Sequence, residues 1–201
     1  MKPSQLICAG LLISLLTNGG LVVAGTSPTP TLDAIPVCYD FDCNTRQVVS
    51  LSREEWQGVL GWLQPAATNA AEERKRIRQA IGWIEELIGR HTPTHLDSAK
   101  NDLLPSQAEG QQDCIDESLN TTTYLRLLER EGLLKWHRVV DRAYRKAILD
   151  QHWAGQIEEI ATGQGYVVDS WFSANGHLPF IQKVEKWKKI RYFRTSFDYT
   201  F

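Results

Sequence analysis

The hydrophobic period of this chain changes once, close to Gly132, and that change limits the fold more than any other feature. Before it, apolar residues recur at helical spacing. After it come three stretches rich in β-branched and aromatic residues, Trp136 to Val140, His152 to Ile160 and Gly165 to Phe172. Helices followed by strands, rather than alternating with them, predict an α+β domain with an antiparallel sheet. Ser52 and Glu55 have capping-box spacing ahead of Trp56, Val59, Leu60 and Leu63, which predicts a first helix stopped by Pro65. Asn69 and Glu72 can cap a second, with Ile77, Ile81, Ile84 and Ile88 as its apolar stripe and Gly89 at its C-terminal end. A third should open at Asp113 or Cys114, turn Ile115, Leu119, Leu125 and Leu128 inward and finish at Gly132. Gly163-Gln164-Gly165 supplies a turn between the last two strands, which makes them a hairpin. Phe180 to Lys189 reads as a closing helix, and the polar stretch between residues 90 and 112 as a long loop.

The N-terminus sets the compartment. Lys2, the apolar run from Leu6 to Leu16 and the small residues that end Val22-Val23-Ala24-Gly25 have the form of a secretory signal over residues 1–25. Asn18-Gly19-Gly20 breaks the run short of the roughly 20 apolar residues that a spanning helix requires, so no transmembrane span is expected in the mature chain. The expected location is across the inner membrane, in the periplasm. Residues 26–37, rich in Ser, Thr and Pro, read as a linker, with one folded domain over 38–201.

Cleavage removes Lys2 and Cys8, leaving 21 basic and 24 acidic side chains and three cysteines. Three thiols leave at least one unpaired within the chain. Cys38 and Cys43 flank four residues and are candidates for a local disulfide, although three cysteines allow three pairings. The charge balance excludes a generic nucleic-acid binder, and an apolar fraction of 42% excludes a disordered chain.

Cys114 is then the residue of interest. At the head of a helix its thiol meets the positive end of the dipole, which favours a thiolate, while Asp113, Asp116 and Glu117 oppose it. A cationic partner is needed. His152 opens a predicted strand, and Asp169 lies on the strand the hairpin sets beside it, between Val168 and Trp171, where a carboxylate is costly to bury unless paired. Cysteine, histidine and aspartate in this order form a nucleophile, an acid-base group and an orienting carboxylate. The same trio could also bind zinc, but it lacks the close ligand pairs usual in such sites, so no metal is expected.

These motifs resemble the transglutaminase-like branch of the papain-type cysteine enzymes. Asp113-Cys114-Ile115-Asp116, His152-Trp153-Ala154 and Val168-Asp169-Ser170 are similar to the motifs of the bacterial transglutaminase-like cysteine proteinases, over roughly Gln111 to Trp171. The chain departs from that subgroup at Glu117, where an aromatic is usual, and at Trp153, where a smaller residue is common. The resemblance implies a nucleophile helix packed on a small antiparallel sheet, with a core near residues 107–190 and the N-terminal helices as additions. It implies an acyl-enzyme on Cys114, with His152 as base and acid and Asp169 as orienter, acting as a peptidase, amidase or acyltransferase on a protein or peptide of the cell envelope, with no organic cofactor. An oxyanion donor is required as well, and the Cys114 backbone N–H with the side chain of Gln112 or Gln111 could supply it; Gln107 is an equal choice. A rival reading is a non-catalytic periplasmic binding or assembly module that keeps the fold. Cys114 bonded to Cys38 or Cys43, or buried away from His152, would favour that rival.

Other features read as structural. His91 and His95 are four apart, but Pro93 between them disfavours one helical face. His137 and His177 have no evident partner. Arg74-Lys75-Arg76 and the basic run from Lys183 to Arg194 read as solvated helix faces, and Trp153 and Trp171 as core or site-wall aromatics. The sequon Asn120-Thr121-Thr122 falls inside the third helix.

Overall fold

The computed structural model describes residues 29–100, 109–146 and 151–190; the segment read as a signal, Gln107 and the aromatic tail through Phe201 lie outside the described residues. The chain forms a mixed α+β fold with antiparallel sheets. Helix α1 (Arg53–Leu63) carries the expected capping box: Glu55 N donates to Ser52 Oγ at 3.2 Å, and Ser52 N to Glu55 Oε2 at 2.8 Å. Helix α2 (Ala70–Gly89) is capped by Asn69, which accepts from Glu72 N at 2.9 Å. Ile77, Ile81, Ile84 and Ile88 are all fully buried, each contributing about 2–3 kcal/mol of apolar transfer. Gly89 ends α2 as a helical residue, and Arg90 caps it in the right-handed region, so the left-handed glycine terminus expected there is not used. Helix α3 (Cys114–Arg130) does end as expected, at Gly132 with φ +69°. Among the described residues no helix is long and apolar enough to cross a membrane.

The main sheet runs β3 (His137–Val139), β5 (His152–Glu159), β6 (Gly165–Asp169) and β7 (Phe180–Lys183), all antiparallel, with β4 (Ala143–Arg145) also on β5. Strands β3 and β4 share one edge of β5: β3 pairs with residues 157–159 and β4 with 152–154. The break between them puts Asp141 and Arg142 in a short excursion. Ile157 and Val168 face the core that contains α3, while Ala154 and Val167 join a second cluster under Trp187. At Gly155 a Cβ would meet Thr121 Cγ2 at 2.9 Å and Val168 O at 3.2 Å, so the missing side chain is what lets α3 lie close on β5.

Further sequence expectations differ from the structure. Of the residues expected to turn inward on α3, Leu125 and Leu128 are fully buried, whereas Ile115 and Leu119 are only half-buried. Part of the segment read as a linker over 26–37 belongs to the fold: β1 (Ile35–Tyr39) pairs with β2 (Thr45–Val49), and Ile35 and Val37 are fully buried. The edge of β1 that faces away from β2 is met by a distant residue. Buried Asn120 on α3 accepts from Cys38 N at 2.8 Å and donates from Nδ2 to Cys38 O at 2.7 Å, a pair of hydrogen bonds that takes the place of a second neighbouring strand at this position. The same contacts bury the sequon asparagine. The expected closing helix over 180–189 is instead β7 followed by the four-residue helix α4 (Val184–Trp187), because Phe180 to Lys183 complete the sheet against β6.

Candidate functional site

Cys38 and Cys43 form a disulfide, and Cys114 is the free thiol, partly exposed at the first residue of α3. Asp113 caps the helix, accepting from Ile115 N at 2.8 Å and Asp116 N at 2.9 Å on Oδ1. The N–H of Cys114 is not taken by this cap. The disulfide loop straps the helix head from outside: Asp42 N donates to Asp113 Oδ2 at 3.0 Å, and Cys43 N to Asp116 Oδ1 at 2.7 Å.

His152 and Asp169 lie on neighbouring strands, on the sheet face covered by Trp187. His152 Nε2 donates to Asp169 Oδ2 at 2.9 Å and approaches Oδ1 at 3.1 Å. Asp169 Oδ2 also accepts from Trp187 Nε1 at 2.8 Å, which fixes the carboxylate plane. Both residues are essentially excluded from solvent. Trp171, Phe172 and Trp187 surround the imidazole, with ring centroids 4.8, 5.9 and 5.7 Å away. Burial alone would lower the His152 pKa, but the Asp169 carboxylate overrides it, and hydrogen bonding and charge from the Cys114 thiol add to the rise, to about 9. The three residues predicted from sequence therefore meet. With Nε2 committed to Asp169, Nδ1 is the ring nitrogen left to face the thiol.

Arg142 was not anticipated. From the break between β3 and β4 its Nη1 donates to Ser118 Oγ at 2.9 Å, its guanidinium lies 4.7 Å from the Trp153 ring centre, and its charge interacts with the Cys114 thiol. No periodicity marks a residue in an excursion of this kind. Glu85 could have been noticed, as a carboxylate on the stripe of Ile77, Ile81, Ile84 and Ile88. It accepts from Ser170 Oγ at 2.6 Å, next to Asp169 in the chain, and burial lifts its pKa to about 7. Asp97, which accepts from Gln112 N at 2.7 Å and hydrogen-bonds Glu117, is also lifted by burial to about 7, as is Asp116. Burial and the neighbouring carboxylates push Glu117 well above its ordinary value. The charged form of Glu117 is thereby disfavoured, which weakens the electrostatic opposition to a Cys114 thiolate expected from sequence.

The amides of Gln111 and Gln112 brace the backbone around the site. Gln111 Nε2 donates to Leu96 O at 2.5 Å and its Oε1 accepts from Ser98 Oγ at 3.0 Å, while Gln112 Nε2 donates to Cys38 O at 3.2 Å. His91 and His95 have separate partners, Glu55 Oε1 at 2.8 Å and Thr92 O at 3.0 Å. His137 packs its Nδ1 on buried Glu73 at 2.9 Å, with Arg74 at its other nitrogen. Among the described residues, Cys38, Cys43 and Asp116 come within ligating distance of one another, but the two sulfurs are joined and offer no thiolate to a metal. Comparison with known protein families, with curated proteins and with solved structures finds no match for this chain.

Proposed function

We propose that the protein is a cysteine-dependent amide hydrolase or acyltransferase on a transglutaminase-like, papain-type core, exported to the periplasm and acting on a protein or peptide of the envelope. One observation carries the reading: a buried imidazole is held by Asp169 on one side and interacts with the free thiol of Cys114 on the other. A thiol in that position transfers its proton to His152 and becomes a nucleophile.

The thiolate attacks the carbonyl carbon of an amide, forming a C–S bond. The tetrahedral oxyanion is met by the Cys114 backbone N–H at the positive end of α3. As the C–N bond breaks, the imidazolium gives its proton to the departing amine. Water, or a second amine, then loses a proton to His152 and attacks the thioester, releasing the acyl product and restoring the thiol. Asp169 holds the ring tautomer throughout and stabilises the imidazolium. The Cys38–Cys43 bridge is in keeping with an oxidising compartment.

The test is alkylation followed by mass spectrometry. Iodoacetamide should label Cys114 faster than a model thiol at neutral pH, and Cys114→Ala should abolish turnover of a susceptible peptide with the fold intact. Labelling of the native protein at or below the rate of the model thiol would overturn the reading.

A further inference from the structure

A groove of about 510 Å³ runs along the outer face of α3, walled by the β1–β2 hairpin on one side and by the break between β3 and β4 on the other. Arg46, Arg126, Arg142, Asp141, Leu119 and Trp153 are among the side chains that line it. Three guanidinium groups against one carboxylate make the groove cationic in a chain whose net charge is −2. Among the described residues none of the three forms an ion pair. Arg142 is held by Ser118 Oγ and the Trp153 ring, and Arg46 donates to Cys43 Sγ at 3.3 Å, partners that orient the guanidinium without neutralising it. Arg126 is exposed.

Arg142 ties one end of the groove to the nucleophile: it belongs to the lining and also interacts with the Cys114 thiol. Along the axis of α3, the line from Cys114 to Arg126 passes Leu119, Thr122 and Thr123, which border the groove. At 1.5 Å rise per residue that line is about 18 Å long, which an extended peptide covers in about five residues.

We infer that this groove seats the substrate, an extended acidic peptide. Resting on the Cys114 reading above, the inference places one carboxylate side chain beside the scissile amide, against Arg142, and a second about five residues away, against Arg126. Trp153 and Leu119 supply apolar contact between the charged positions.

Binding without turnover tests this. The Cys114→Ala protein is titrated in a calorimeter with a capped hexapeptide of alanine carrying glutamate at both ends, and with the same peptide carrying glutamine instead. The glutamate peptide should bind at least tenfold more tightly. Arg126→Glu should remove that preference, while Lys75→Glu, the same charge change on the exposed face of α2, should leave most of it. Equal affinity for the two peptides, or equal loss in both variants, would overturn the inference. These titrations do not require a reactive thiol, and alkylation of Cys114 in the native protein does not require the groove, so the two readings fail separately.

Discussion

Replacing Asp169 by asparagine keeps the shape of the site and removes its charge. In the native protein the His152 pKa stands at about 9, against an ordinary 6.5. At about 1.4 kcal/mol per pKa unit, that rise amounts to about 3 kcal/mol of preferential stabilisation of the imidazolium. The largest influence on the ring is burial, which acts in the opposite direction, so the carboxylate does more than the net value indicates. Once its charge is gone, burial is opposed by the Cys114 thiol alone, and the ring should titrate well below 9. The introduced amide would still face His152 Nε2 and Trp187 Nε1 across the same short distances, so the ring environment changes mainly in charge. The measurement is an NMR titration of the imidazole Cε1–H signals in both proteins, with His152 assigned by its disappearance in His152→Gln. A native His152 that titrates at or below 6.5, or one that Asp169→Asn does not move, would refute the carboxylate's role. The sign also extends to stability: a folded-state pKa above the unfolded value contributes stability that is complete below pH 6.5 and is lost as pH rises through about 9.

Four further outcomes follow from the geometry. Glu85, lifted by burial to about 7, favours the folded state below its unfolded value near 4.5 and loses that contribution as pH rises through 7; Glu85→Gln should flatten chemical-denaturation stability across that interval. Reducing the disulfide, or making Cys38→Ser with Cys43→Ser, opens a short loop whose closure entropy is worth about 2 kcal/mol, readable as a shift in the urea midpoint. Asn120→Ala should cost about 2–4 kcal/mol, since the buried N–H and C=O of Cys38 each lose a partner. Gly155→Ala should cost about 1–3 kcal/mol in the same assay, because the added methyl meets the backbone oxygen of Val168 as well as Thr121.

What was legible in the sequence was what local chemistry determines. Ser52 with Glu55, Asn69 with Glu72 and Asp113 with Asp116 sit within one turn of the bonds they make, so their helices could be placed. The β5–β6 hairpin was legible because Gly163, at φ +70°, marks its turn, and it sets His152 and Asp169 on adjacent strands. The rest depends on partners far away in the chain. On the edge away from β2, strand β1 has its Cys38 N–H and C=O met by Asn120, which lies 82 residues away. Strands β4 and β7 have three and four residues, too few to display a period, and exist because β5 and β6 offer them edges. The same holds within the site. The trio was readable from order and element type, whereas Arg142 and Trp187 became part of it through packing alone.

The loop closed by the disulfide holds four consecutive residues, Asp40, Phe41, Asp42 and Cys43, with φ between 52° and 66°. Such a turn of left-handed backbone is tolerated by aspartate but opposed at Phe41 and Cys43 by about 1 kcal/mol or more each. It is held by the sulfur bridge and by N–H bonds to Asp113 and Asp116, while those carboxylates in turn gain the donors that settle the start of α3. Neither side is complete without the other. The order of assembly is therefore constrained: the N-terminal hairpin cannot be trimmed away as an appendage, and the smallest autonomous folding unit reaches back to β1 rather than beginning at the nucleophile.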